Sequence, residues 1–77
     1  MSRKTQWTLR AIVNGATVEE INGEGKVNKL PALRDMASRH PLGCELWMTE
    51  SRAKTWAVFR NDVREMVLVR SETKATA

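Results

Sequence analysis

The residues able to do covalent or acid–base chemistry are few. His40 is the only imidazole and Cys44 the only thiol among 77 residues. Asp35 and Ser38 precede His40 closely, so the residue types of a hydrolytic triad fall within one short stretch. A triad needs a line of hydrogen bonds from nucleophile through base to orienter. On one helix end these three side chains point to different sides, and His40 reads as a helix-terminal residue. For His40 to serve Cys44 as base, the chain would have to fold back past Pro41 and Gly43. A small hydrophobe on a strand is the simpler role for that thiol.

Gly23-Glu24-Gly25-Lys26 has the glycine and lysine content of a phosphate loop. It lacks the GxxxxGK[ST] spacing, and Val27 stands where a magnesium-binding hydroxyl is required. Glu19, Glu20 and Glu24 gather locally but show no sign of the paired, divergent environments that make one carboxyl an acid and another a base. One Cys and one His can supply neither an internal disulfide nor a metal site. The expectation is a chain that is not an enzyme, with no cofactor and no metal.

The elements that must position any binding residues are read from hydrophobic period. Thr5 to Val13 alternates, with Trp7, Leu9, Ala11 and Val13 on one side, which marks a half-buried strand. Asn14-Gly15 follows, the strongest short hairpin signal, because a type I′ turn needs positive φ at both central residues. Simple pairing sets Ala11 by Val18, Arg10 by Glu19 and Leu9 by Glu20. The last pair fits badly, so the second strand is expected to bulge or fray there. Asn22 to Gly25 reads as a turn. Leu30, Leu33, Met36 and Ala37 then recur at helical spacing, Pro31 suits the first turn, and His40-Pro41 closes the helix.

Cys44 to Thr49 alternates again, and Lys54 to Arg60 is aromatic and β-branched. A turn at Glu50 to Ala53 pairs Trp47 with Trp56 and Leu46 with Ala57. Asp62 to Glu65 has the pattern of a capping box and predicts one helical turn running into a strand at Met66 to Arg70. The fold class is therefore α+β, a single small domain of order β-β-α-β-β-(β). One helix packs on an antiparallel or mixed sheet, which is short enough to curl into a partial barrel. Residues 5–70 form the domain, with a flexible basic tail at 1–4 and a flexible polar tail at 71–77.

The chain has 13 Lys and Arg against 9 Asp and Glu, a net charge of +4 and a pI near 9.8. Eight of the thirteen cations are Arg, whose guanidinium fork suits phosphate and stacks on rings. The surplus is spread, with no run of five like charges. Apolar runs reach only four residues, far short of the ~20 of a membrane helix, and no apolar stretch follows the basic N-terminus. A cytoplasmic location is the expectation, with no membrane partner.

One helix covers one side of such a sheet. The opposite side keeps Ile12, Trp47, Trp56 and Val58, interleaved with Arg10 and Lys54 and flanked by Arg52 and Arg60. Two tryptophans on an open face exceed what a monomer normally exposes. Aromatic rings flanked by cations stack unpaired bases while the cations follow phosphates. The expected function is thus a small regulatory protein that contacts nucleic acid through Arg10, Trp47, Arg52, Lys54, Trp56 and Arg60. The alternative is a protein-docking module anchored by the same tryptophans, either an inhibitor of a cellular protein or a homodimerising regulator. Basic side chains ringing the tryptophans favour the first, and a mixed-charge rim favours the second. In size and lack of chemistry the chain resembles the compact regulators and inhibitors that phages and mobile elements encode.

Overall fold

A computed structural model describes residues 5–25 and 29–74. The described residues form five strands, β1 (Gln6–Val13), β2 (Ala16–Glu24), β3 (Glu45–Glu50), β4 (Thr55–Asn61) and β5 (Met66–Thr73), and one helix, α1 (Lys29–Ser38). The strands form one antiparallel sheet in the order β2-β1-β3-β4-β5. The order is linear, so the sheet stays open with β2 and β5 as its edges. β2 and β3 run in the same direction with β1 between them, and such a pair requires a crossover. α1 supplies it.

Asn14 (φ 53°) and Gly15 (φ 80°) make the tight turn, both in the left-handed region that this hairpin demands. Of the bulge and the fraying that the misfit allows, the strand shows a bulge, at Val18: Ile12 faces Thr17, whereas Ala11 faces Glu19. The extra residue moves Ile21 opposite Leu9 and Glu20 opposite Arg10, which removes the mismatch of Glu20 with Leu9. It also leaves Val18 exposed. Asn22 to Glu24 continue the strand instead of turning, because the Trp7 ring lies over Gly23 where any Cβ would collide with it. The turn comes at Gly25 (φ 93°), whose N–H donates to the Thr5 carbonyl at 2.8 Å. Gly23 and Glu24 thus belong to a strand, and Lys26 of the candidate phosphate loop lies outside the described residues.

α1 packs mainly on β1 and β3. Leu33, Met36 and Ala37 meet Trp7, Leu9, Ala11, Cys44 and Leu46, with Met48, Phe59 and Met66 at the margin. Leu30, the first residue of the helical stripe, stays half exposed at the helix start. At the other end the buried Asn61 points its Nδ2 at the carbonyls of Ala37 (3.0 Å), His40 (3.3 Å) and Pro41 (3.2 Å). Ala37 lies in the last turn of α1 and His40 and Pro41 just beyond it, so Asn61 of β4 ties down the chain where it leaves the helix.

Asp62 to Glu65 contains no helical turn. It is the loop of the β4–β5 hairpin, closed by the Asp62 N–H to the Glu65 carbonyl at 3.1 Å. The Asp62 carboxylate does cap an N–H, that of Val63 at 2.6 Å, but no helix follows. β5 runs to Thr73, past Arg70 where the sequence reading placed the end of the domain. Glu72 pairs opposite Trp56, and the Lys74 N–H bonds the Lys54 carbonyl at 2.8 Å. Residues 1–4 and 75–77 of the expected tails lie outside the described residues.

Candidate functional site

The β3–β4 register differs from the expected one by two residues: Trp47 faces Val58, Leu46 faces Phe59 and Met48 faces Ala57. The turn occupies Ser51 to Lys54, fixed by the Ala53 N–H on the Glu50 carbonyl (2.9 Å) and by Thr49 Oγ1 on the Thr55 carbonyl (3.0 Å). A shift of two leaves every side chain on its expected face. Trp47 and Trp56 therefore still meet, edge to face, with centroids 5.9 Å apart and planes at 61°.

Among the described residues no helix or strand covers this pair, yet Trp56 is only 6% exposed. Two guanidiniums do the covering. Arg10 Cζ lies 4.5 Å from the Trp56 centroid, and Arg70 Cζ lies 5.7 Å from that of Trp47. Each guanidinium is held by carboxylates. Arg10 Nε reaches Glu20 at 2.6 Å; Arg70 bridges Glu45 at 2.7 Å and Glu72 at 2.6 Å. The Trp47 indole N–H donates to Glu45 at 3.2 Å. Arg70, helped by that indole N–H, holds the Glu45 carboxyl below its ordinary range, against the opposing effect of burial. Two cations and three carboxylates thus sit over the tryptophans, so the rim is of mixed sign.

Of the six residues expected in the site, the structure brings Arg10, Trp47 and Trp56 together. Arg52 and Lys54 are exposed in the β3–β4 turn at one end of the sheet. Arg60 is exposed at the far end of β4, opposite Glu45 and Val67. Sequence reasoning missed Arg70 and the carboxylates Glu20, Glu45 and Glu72. Continued alternation beyond Met66 would have set Arg70 and Glu72 on the helix side with Met66 and Leu68; the irregularity at Val69 turns them to the tryptophan face, and no sequence signal marks it.

The residues first suspected of chemistry have other partners. His40 Nε2 contacts Glu19 Oε1 at 2.7 Å. Arg39 bridges Glu19 (2.7 Å) and Asp35 (2.5 Å), and Ser38 Oγ donates to the Asp35 carbonyl at 2.6 Å. Arg39 first and His40 second hold the Glu19 carboxyl below its ordinary value. Cys44 is buried, 3.8 Å from Asn61 Nδ2. The cluster ties the end of α1 to β2 at its bulge. Among the described residues, no three His, Cys, Asp or Glu side chains gather as a metal site, and no helix is long and apolar enough to cross a membrane.

A second surface lies on the helix side. Because α1 rests mainly on β1 and β3, a groove of about 670 Å³ opens between its flank at Arg34, Ala37 and Ser38 and the β4–β5 loop with Met66. Leu42 (66% exposed) and Val63 (72%) stand at its mouth, and Leu68 (59%), opposite Phe59, continues the strip along β5. Neither Leu42 nor Val63 had been marked in the sequence, since isolated apolar residues in loops carry no period. No family model matches the chain, and no curated protein or solved structure matches it.

Proposed function

We propose that this chain is a non-enzymatic binding protein that docks on another folded protein through the helix-side flank of its β4–β5 hairpin. One observation carries the reading: Leu42 and Val63 are bare at an open groove and Leu68 is bare nearby on β5, while Trp56 is buried and Trp47 half-buried beside the protein's own ion pairs. Large apolar side chains left exposed around a groove with a polar rim mark an interaction site on a chain this small. The mixed-charge rim of the tryptophan face points in the same direction, since a base-stacking platform needs ring faces free to receive bases.

A photo-cross-linking side chain at position 68, with a control at Thr8 on the tryptophan face, tests this. The captured protein, once purified, is expected to bind the unmodified chain and not Val63→Asp. Capture only through position 8 would overturn the reading.

Nucleic acid is the second reading, favoured by a separate observation. Among the described residues, Arg34, Arg52, Lys54, Arg60 and Arg64 make no ion pair, on a chain of net charge +4. Titrating tryptophan fluorescence with single-stranded and duplex DNA and RNA at low and moderate salt separates the two. A saturable quench that weakens steeply with salt and is lost in Arg52→Glu/Lys54→Glu supports nucleic acid. An unchanged spectrum supports protein docking.

A further inference from the structure

We infer that the protein seated on this flank is a second copy of the chain, related by a twofold axis near the Val63–Arg64 loop. The inference rests on the docking reading and adds the identity of the occupant. Charge selects it. A molecule of net charge +4 repels its own copies, so self-association is confined to surface that is locally neutral and carries both signs. The rim of the groove is such a surface. It holds Arg34 and Arg64 with Asp62 and Glu65, and among the described residues none of the four is in an ion pair.

In a twofold interface each contact occurs twice with its members exchanged. Arg64 and Glu65 are neighbours on one loop, so Arg64 of one copy can face Glu65 of the other and the reverse. Val63 between the two loops then meets the exposed Leu42 and Leu68 of the second copy. A strongly acidic or basic partner would leave one sign of this rim unmatched.

The other surfaces suit a copy less well. The charges over the tryptophans already satisfy one another. The free edge of β5 is interrupted, because Val58 faces Arg70 while Phe59 faces Leu68, which leaves Val69 as a bulge. A bulge of this kind hinders edge-to-edge strand addition.

Sedimentation equilibrium of the whole chain, from micromolar to several hundred micromolar, tests the inference. The expected result is a mass rising from 8.7 kDa toward twice that value. Val63→Asp should hold the chain at the lower mass throughout. Arg64→Glu should weaken association at least tenfold, and Arg64→Glu/Glu65→Arg should restore it. All three sites are exposed, and an unchanged circular dichroism spectrum and thermal midpoint confirm that each variant is folded. A mass of 8.7 kDa at every concentration, or a dimer indifferent to Val63→Asp, overturns the inference. If the chain stays monomeric while position 68 captures a different protein that Val63→Asp no longer binds, the dimer falls and docking stands. If neither occurs, both fall.

Discussion

The two sides of the β4–β5 hairpin invert the ordinary relation between cover and burial. On the side with no helix, Trp56 and Val58 are buried. On the side that carries α1, Leu68 is more than half exposed two residues from a groove. The difference lies in what the neighbouring strands extend over each surface. Arg10 from β1 and Arg70 from β5 lay guanidiniums on the indole faces, and Glu20, Glu45 and Glu72 pin them there. Long charged side chains bury apolar surface with their stems and planes while keeping their heads in water. α1, ten residues long, reaches mainly β1 and β3.

The largest test of this contrast is truncation of the buried ring. Trp56→Ala removes a side chain that fills the open face, and large-to-small changes of this kind cost about 3–5 kcal/mol. A domain of this size has a total stability on the order of 5–10 kcal/mol, so urea unfolding should show a greatly lowered midpoint, or no folded baseline. A loss below about 1 kcal/mol would mean that the charged cover does not bury Trp56 in solution.

Arg70→Met sharpens the comparison, because it keeps an apolar stem over Trp47 and deletes the charge. Tryptophan emission should shift to the red, and the midpoint should fall by less than in Trp56→Ala. The pH dependence identifies the cause. Glu45 has its carboxyl depressed by Arg70, so its contribution is present above the ordinary carboxylate value and is lost as pH falls through the depressed one. The stability difference between Arg70→Met and the parent should therefore shrink between neutral pH and pH 3. A difference that stays constant with pH would show that the guanidinium plane over Trp47, not the ion pair with Glu45, matters.

The number and succession of the strands, the Asn14-Gly15 hairpin and the span of α1 were legible in the sequence because period and punctuation agree there, whereas the far ends of β2 and β5 were not. A departure of β2 from simple pairing was legible from one misfit, Glu20 against Leu9, though whether it would bulge or fray was not. The β3–β4 register was not, because a shift of two preserves every face. Thr49 Oγ1 and the Ala53 N–H settle it through contacts that no alternation encodes. Asp62 to Glu65 misled for a related reason: an aspartate that caps an N–H serves a hairpin loop as well as a helix start. Of the candidate site, the meeting of Arg10, Trp47 and Trp56 followed from alternation. Its closure by Glu20, Glu45, Arg70 and Glu72 did not, since it depends on strands far apart in the chain.

The smallest expected effect sits on the other side of the hairpin. Leu68→Ser replaces a leucine already mostly in water, and surface changes of this kind normally fall within about 0.5 kcal/mol. Urea unfolding at low micromolar concentration, where an associating chain is dissociated, should barely distinguish Leu68→Ser from the parent. At several hundred micromolar the two should separate, because any species that binds only the folded state raises its apparent stability with concentration. The parent alone should gain stability on concentration. Equal gains in both would place the contact elsewhere than the flank, and a large loss for Leu68→Ser at low concentration would mean that Leu68 already belongs to the core.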